Sequence, residues 1–252
     1  MSKIVYFILS ENEIHIGTSQ DNYFQWIEKQ TFSNKTDYYY KEQLQELLDK
    51  HQLSSANYDE HILMWYSHQS TLVPMNMLEN STPKELLYHS FSENKIQHDV
   101  DYNRISELSV VNIYEIPLWV KSFFVIRFPR IVLQHLGTGM LRGIFNGSSF
   151  KPNVRLVLTE DFALLIYVKH GELITYTSFE YATESDLIYH TLNVLTQTDS
   201  LNNSGIIEIH TLRENKINTT TFVENWSKLK EVSDFKVEFE PTQTLKYLSV
   251  CV

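Results

Sequence analysis

The stretch "KIVYFILSENEIHIGTSQDNYFQWIEKQTF", residues 3–32, decides the fold of the first half of this 252-residue chain. Three largely apolar runs are separated by the short polar turns "SENE" and "QDN", which is the pattern of a three-stranded meander. A helix is predicted to follow, with Asp37 as its cap. Its apolar face carries three leucines at helical spacing: Leu44, Leu47 and Leu48. The apolar run "HILMWYS", residues 61–67, then predicts a central strand.

The same order of elements returns in the second half of the chain. Three predicted strands are separated by the turns "TED" and "KHGE": "NVRLVL" (153–158), "FALLIYV" (162–168) and "LITYTSFEY" (173–181). Thr183 and Asp186 have the spacing of a capping box and predict a helix, after which "IIEIH" (206–210) predicts a strand. No residue-level identity relates the two halves. The repeated pattern predicts an α/β fold with two similar halves, residues 1–150 and 151–252.

Three further helices have recognisable starts, in which a hydroxyl residue or a proline precedes an apolar run: Thr82 with Pro83 and Glu85, Pro117, and Thr221 with Glu224. Between the halves, "VVNIYEI" (110–116) and "RIVLQHL" (130–136) are predicted strands. The second of these runs directly into a glycine-containing segment.

Composition excludes several classes of function. The net charge is −10, so non-specific nucleic-acid binding is not expected, because it requires Lys and Arg to neutralise phosphates. The single cysteine, Cys251, excludes an intramolecular disulfide and a multi-cysteine metal site. No apolar run reaches the roughly 18 residues of a membrane span, and no export signal is recognisable. We therefore expect a cytoplasmic protein.

Two levels of resemblance follow from these elements. The order strand, strand, strand, helix, strand, met twice, is similar to the plan of the actin-like ATPase superfold, which is built from two ribonuclease H-like halves. Three segments also resemble recurring segments of a bacterial protein family of unknown function: "TLVPMNML" (71–78), "VVNIYEIP" (110–117) and "SFEYATESDLIYH" (178–190). The resemblance extends from Ile4 to the C-terminus. It implies two halves, each with a mixed sheet and flanking helices, and it implies no established activity.

The first hairpin of each half decides whether ATPase chemistry is expected. In actin-like ATPases these two hairpins hold phosphate and metal, which requires Asp and Gly in the turns. In this chain neither turn contains glycine: the first is Ser10-Glu11-Asn12 and the second is Thr159-Glu160-Asp161. The Gly-Gly pair that contacts adenosine in the superfold is replaced by Thr211 and Leu212. We therefore predict that the fold is retained and that the ATPase activity is lost.

The segment "HLGTGMLRG", residues 135–143, is the strongest remaining candidate for a site. Its spacing matches neither the dinucleotide fingerprint nor the P-loop. The favoured interpretation is a hinge between the halves. The other interpretation is an anion or nucleotide site at a helix N-terminus, with these contacts: Gly137, Gly139 and Arg142, joined by Thr159 from the second hairpin.

The same region is unusually basic for an acidic chain. Residues 116–159 contain no Asp or Glu and have six basic side chains: Lys121, Arg127, Arg130, Arg142, Lys151 and Arg155. Such a window is expected to attract an anionic ligand or an acidic partner surface. In the alternative interpretation, the arginines pair with acids from other segments or lie along apolar surface.

Three other groups of side chains were considered as sites. His61 and His68 are predicted to lie on opposite faces of one strand, where they cannot share a metal. The "HDVD" run (98–101) is interpreted as a solvated loop, although its two acids share one face when extended. The tyrosines at 38–40 are expected to pack on the sheet and expose their hydroxyls. No catalytic residue and no metal site is assigned.

The favoured function is therefore a non-catalytic interaction or scaffold module on an actin-like fold, with degenerate phosphate loops and no cofactor. Its expected partner is another protein or a second copy of the chain. The alternative is a divergent nucleotide-binding protein or weak ATPase that uses ATP and Mg²⁺ in the cleft between the halves. A third hypothesis is a non-nucleotide anion binder that uses the basic window.

Overall fold

The computed structural model describes residues 3–20, 23–32, 36–54, 56–91, 96–147, 150–159, 162–212 and 217–239. The chain divides into two compact units, and the division falls after Arg142. The predicted boundary at residue 150 stays a prediction. Within the described ranges, no helix is long and apolar enough to cross a lipid bilayer.

The first unit holds a five-stranded and a three-stranded sheet. Its elements are β1 (Lys3–Leu9), β2 (Glu13–Gln20), β3 (Tyr23–Thr31), α1 (Asp37–Lys50), β4 (Glu60–Trp65), β5 (Ser70–Pro74), α2 (Pro83–Ser90), β6 (Asp99–Ile105), β7 (Val110–Ile116), α3 (Leu118–Arg127), β8 (Val132–His135) and α4 (Leu136–Phe145), which continues past the division. The larger sheet has the order β3-β2-β1-β4-β8, and the smaller antiparallel sheet has the order β5-β7-β6. In the larger sheet β1 pairs antiparallel with β2 and parallel with β4.

The second unit repeats the larger sheet. Its elements are β9 (Asn153–Leu158), β10 (Phe162–Lys169), β11 (Glu172–Glu180), α5 (Glu184–Gln197), β12 (Ser204–Thr211), α6 (Thr219–Ser227) and β13 (Asp234–Phe239). The sheet order β11-β10-β9-β12-β13 corresponds strand for strand to β3-β2-β1-β4-β8. The predicted order of three strands, a helix and a strand is therefore confirmed in both units.

One face of each five-stranded sheet is covered by helices of its own unit. Because successive residues of a strand point to opposite faces, alternate residues of β1 pack with Leu44 of α1 and Phe124 of α3: Val5, Phe7 and Leu9. The corresponding residues of β9 pack with α5 and α6: Val154, Leu156, Leu158, Leu187 and Phe222. Burial of each Leu or Phe side chain contributes about 1.5–3 kcal/mol to the free energy of unfolding. The apolar face of each sheet is therefore the face that packs against the helices.

Local capping chemistry sets most helix starts. The capping boxes predicted at Thr82 and Thr183 are both present. Two other predicted caps are wrong. The N-cap of α1 is Thr36 rather than Asp37, and it makes no side-chain cap hydrogen bond. The N-cap of α6 is Asn218, whose side chain accepts from the backbone N–H of Thr221 at 3.1 Å.

Candidate functional site: the two hairpin turns and the start of α4

The turn between β1 and β2 is closed on itself by Ser10. The backbone N–H of Ser10 donates to the Glu13 carbonyl at 3.0 Å. Its Oγ accepts from the backbone N–H of Asn12 at 3.1 Å and of Glu13 at 3.2 Å. Serine favours turns because its hydroxyl satisfies nearby amides in this way. The two amides at the end of this turn therefore donate to a side chain of the same turn.

The two ends of the turn between β9 and β10 are joined by Thr159. Its backbone N–H donates to the Phe162 carbonyl at 3.0 Å, and its Oγ1 accepts from the backbone N–H of Phe162 at 3.2 Å. Thr159 is buried. Glu160 and Asp161, the acids predicted to stand in this turn, lie outside the described residues.

A tyrosine hydroxyl binds the first carbonyl of each turn. The hydroxyl of Tyr40, on α1, donates to the carbonyl of Ser10. The hydroxyl of Tyr181, which directly follows β11, donates to the carbonyl of Thr159 at 2.5 Å. In both units a serine or threonine hydroxyl therefore bonds within the turn, and a tyrosine hydroxyl from outside the turn binds its first carbonyl.

The expectation that the three consecutive tyrosines of α1 pack on the sheet with exposed hydroxyls has a mixed outcome. Tyr38 and Tyr39 are exposed, but Tyr40 is buried and its hydroxyl is bound to protein. Burial, together with the nearby charges of Glu11 and Glu13, raises the pKa of Tyr40 far above its usual range. Tyr40 is therefore a neutral hydrogen-bond donor.

A buried acid and base lie beneath the first turn. Glu13 Oε1 accepts from the Tyr66 hydroxyl at 2.6 Å, and Glu13 Oε2 lies 3.3 Å from His15 Nε2. Burial alone would raise the pKa of Glu13, but the contacts with His15 and Tyr66 lower it below its usual value. Glu13 has no exposed surface. This carboxylate therefore stabilises the base of the hairpin and is not presented to a ligand.

The N-terminus of α4 is capped by the imidazole of His135, the last residue of β8. His135 Nδ1 accepts from the backbone N–H of Gly137 at 3.1 Å and from the side-chain amide of Asn112 at 3.3 Å. Since both groups are donors, the ring proton is assigned to Nε2, which lies 3.3 Å from the Ser67 carbonyl. Burial lowers the pKa of His135 to about 4. The imidazole is therefore neutral near pH 7.

The predicted glycine site residues lie within α4 rather than in an extended connection. The helix contains three buried glycines: Gly137, Gly139 and Gly143. Arg142 donates from Nη1 to Gln134 Oε1 at 3.1 Å and from Nη2 to the Arg104 carbonyl at 2.9 Å. The proposed anion contacts of Gly137, Gly139, Arg142 and Thr159 stay a prediction. Gly137, Arg142 and Thr159 make hydrogen bonds within the protein.

Other cations of the basic window also have protein partners. Lys121 Nζ lies 2.9 Å from Asp101 Oδ2 and 3.7 Å from Asp99 Oδ2. The buried Arg155 donates from Nε to Glu208 Oε2 at 3.0 Å. Arg127 donates to Gln45 at 2.7 Å and lies over the ring of Phe123. Two of the six cations in this window, Lys121 and Arg155, are therefore paired with carboxylates of the chain, and Arg127 and Arg142 are held by neutral acceptors.

The histidine and "HDVD" predictions have mixed outcomes. His61 lies on β4, with its ring stacked 4.3 Å from that of Phe128, whereas His68 lies beyond the end of β4, so placing both on one strand was wrong. The loop interpretation of "HDVD" was also wrong, because Asp99 and Asp101 begin β6; they do share one face. Within the described residues, no three His, Cys, Asp or Glu side chains form a group able to hold a metal.

Both five-stranded sheets are mixed and share the same strand order. This arrangement defines the class of the protein, which is the actin-like ATPase fold. A Bacteroides thetaiotaomicron protein with an actin-like ATPase fold and unknown function is similar over 97% of this chain and 95% of its own, with 17% identity and a TM-score of 0.76. The PilM-PilN type IV pilus biogenesis complex is similar over 98% and 94%, with 8% identity and a TM-score of 0.53. At these identities the likeness shows the fold alone.

The chain belongs to a family described as a protein of unknown function, DUF3822, whose pattern matches residues 8–216. No curated protein matches the chain. The family and the fold implied by the sequence resemblance are thus both confirmed. Sequence reasoning pointed to Ser10 and Thr159 as turn residues, but it missed the tyrosine contacts and His135. One feature of the sequence could have indicated the hydrogen bonding of the turns, because the first residue of each turn, Ser10 or Thr159, has a side-chain hydroxyl.

Proposed function

We propose that this chain is a non-catalytic interaction module of the cytoplasm, a pseudo-ATPase in which the phosphate-binding turns of the actin-like fold have become closed turns. The observation that carries the proposal is the hydrogen bonding of Ser10. Its Oγ accepts from the two backbone N–H groups, of Asn12 and Glu13, that end the first turn. A phosphate in a hairpin turn is held by backbone N–H groups that face the ligand.

Opening the first turn toward a phosphate would carry three costs. The two amides would each lose a hydrogen bond worth about 1 kcal/mol net. The bond from the Tyr40 hydroxyl to the Ser10 carbonyl resists movement of the turn. The largely exposed Glu11 at the tip adds a like charge close to any incoming phosphate. These costs favour a turn that stays closed.

The second turn supports the same proposal. The backbone N–H and the Oγ1 of Thr159 are both bound to Phe162 across the turn. The Tyr181 hydroxyl occupies the carbonyl of Thr159. A nucleotide grip in this fold needs both hairpins, so closure of either one is sufficient to weaken it.

The interaction part of the proposal rests on analogy with one relative of the same fold. That structure is the PilM-PilN type IV pilus biogenesis complex, to which this chain is similar in fold. Function does not follow from fold alone. The expected partner is another protein or a second copy of this chain.

The proposal is tested by calorimetric titration and thermal unfolding with ATP, ADP and Mg²⁺ at millimolar concentrations. We expect no heat of binding and no change in the unfolding temperature. A nucleotide present at 100 times its dissociation constant would add about 2.7 kcal/mol of stability. A saturable, Mg²⁺-dependent stabilisation would overturn the proposal and support nucleotide binding.

The anion hypothesis is tested by adding inorganic phosphate to the wild-type chain and to Arg142→Gln. If phosphate stabilises the wild-type chain and does not stabilise the variant, a separate anion site is supported.

A tagged chain isolated from its native cell tests the interaction directly. We expect a stoichiometric companion, either another protein or an untagged copy of the same chain. Recovery of the chain alone at physiological concentration, together with turnover of ATP by the pure protein, would contradict the whole proposal.

A further inference from the structure

Helix α3 is apolar on two opposite faces. Its inner face is buried against β1 and α1 by three residues: Val120, Phe123 and Phe124. Its outer face carries Leu118, Val125 and Ile126, which are 66%, 48% and 76% exposed. A helix that is apolar all round is normally buried on all sides. The outer face of α3 is therefore a surface that lacks cover from the described chain.

The outer stripe of α3 is symmetric about Ser122. Leu118 lies four residues before Ser122 and Ile126 lies four residues after it, so all three fall on one side of the helix. Ser122 is exposed, and its hydroxyl donates to the Trp119 carbonyl at 3.0 Å. The centre of the stripe is thus a small residue whose polar group already has a partner within the helix.

This arrangement is self-complementary in one geometry. When two copies of α3 pack antiparallel across a two-fold axis, Leu118 of each copy faces Ile126 of the other, and the two Ser122 residues face each other at the axis. A two-fold interface requires this reciprocity, in which residue i contacts j and j contacts i. The small side chain at the axis allows the helices to approach closely, with the larger residues packing on either side.

The charges at the two ends of α3 are complementary in the same geometry. Asp99 pairs in register with Ile116, the last residue of β7, and therefore lies near the N-terminal end of α3. Its side chain is 51% exposed. Arg130 follows the C-terminal end of α3, is exposed, and makes no hydrogen bond or ion pair with the described residues. Antiparallel packing brings Arg130 of each copy to the end where Asp99 of the other copy lies.

We propose that the outer face of α3 is a homodimer interface, in which two copies of the chain pack antiparallel through Leu118, Ser122 and Ile126. The two Arg130–Asp99 pairs close the ends of the interface and set its orientation, as charged rims do in other complexes. This dimer does not depend on whether the hairpin turns bind nucleotide. An acidic protein partner and an anionic lipid surface are the competing occupants of the same face. A second copy is favoured because the spacing and the charges match the chain itself.

Sedimentation and light scattering between about 1 and 100 μM test the dimer with three variants. We expect Leu118→Glu and Ile126→Glu to raise the dimer dissociation constant at least about 100-fold, because each places two carboxylates in an apolar contact. Tyr189→Glu, on an equally exposed residue of α5, is the matched control and should leave the dimer unchanged. All three positions are exposed, so circular dichroism should show folded protein in each case.

Two further experiments test the geometry itself. In a Cys251→Ser background, Ser122→Cys should form a disulfide-linked dimer under mild oxidation, whereas Tyr189→Cys should not. Arg130→Asp or Asp99→Arg alone should weaken the dimer, and the two together should restore it. A wild-type chain that is monomeric at 100 μM, a dimer that withstands both glutamate variants, or binding of the α3 face to anionic vesicles would each overturn the proposal.

Discussion

Acidification should destabilise the first unit through His135. This imidazole is buried, accepts the first free N–H of α4 from Gly137, and accepts a second hydrogen bond from Asn112. A proton added at Nδ1 would turn an acceptor into a donor that faces two donors. Protonation therefore removes the cap of α4 and places a charge on a buried ring.

The magnitude follows from the difference between the folded and unfolded pKa values. Burial lowers the pKa of His135 from 6.5 to about 4. Above pH 6.5 neither state binds this proton, so the stability is unaffected. Below pH 6.5 the unfolded state binds the proton first, so the free energy of unfolding falls as the pH falls toward 4. Each pKa unit is worth about 1.4 kcal/mol, which gives about 2 kcal/mol lost by pH 5 and about 3 kcal/mol lost by pH 4.

Urea unfolding at pH 7.0, 6.0 and 5.0 measures this loss. Three of the four tryptophans lie in the first unit, so Trp226→Phe confines the fluorescence signal to that unit. The test variant is His135→Asn, which keeps an acceptor at a helix N-cap and cannot be protonated. We expect the loss between pH 7 and pH 5 to be about 2 kcal/mol smaller in the variant.

One other buried histidine contributes with the same sign. Burial also lowers the pKa of His61. His61→Phe should therefore also reduce the pH dependence. An unchanged slope between pH 7 and pH 5 in His135→Asn would refute the assignment of a buried, neutral imidazole.

Two further predictions concern the second unit. Gly205→Ala should destabilise it by roughly 1–3 kcal/mol in urea unfolding, because the added Cβ would lie 2.4 Å from the Phe235 ring. Gly147→Ala is the control and should change little, because its added Cβ would lie 3.7 Å from the Ile144 carbonyl oxygen. Glu208→Gln should destabilise it by about 3 kcal/mol by leaving Arg155 buried without its carboxylate. Burial would raise the pKa of Glu208, but His210 and Arg155 lower it to about 2, so this contribution is present above pH 4.5 and is lost as the pH falls toward 2.

The parts of the fold that depend on local signals could be predicted from the sequence. The strands β1 and β9 are apolar runs bounded by polar turns, and the capping box at Thr183 joins residues three apart. Such features need no knowledge of distant neighbours. The error at α6 has the same local origin, because Asn218 and Thr221 are both good N-cap residues and only the observed hydrogen bond distinguishes them.

The polar strand β6 was not predictable in this way. Its sequence "DVDYNRI" has two acids at its start, and such residues are depleted in strands. The acids are tolerated because Lys121 of α3 lies within 4 Å of both. In addition, the side chain of Asn103 accepts from the backbone of His135 and donates to that of Leu133 on the edge strand β8. Both stabilising contacts come from residues distant in sequence.

The closed turns combine a local feature with a distant one. The hydroxyl of Ser10 or Thr159 is visible in the sequence of each turn, but Tyr40 and Tyr181 reach the turn carbonyls from 30 and 22 residues away. The two tyrosines also come from different places, since Tyr40 lies within α1 and Tyr181 precedes α5. The halves share no residue-level identity, yet in both a hydroxyl at the start of the turn accepts from the backbone N–H three residues later and a tyrosine binds the carbonyl of the hydroxyl residue. What the two halves have in common is thus a hydroxyl residue that bonds across the turn and a tyrosine hydroxyl that binds its carbonyl. The nucleotide titration tests whether turns built in this way bind phosphate.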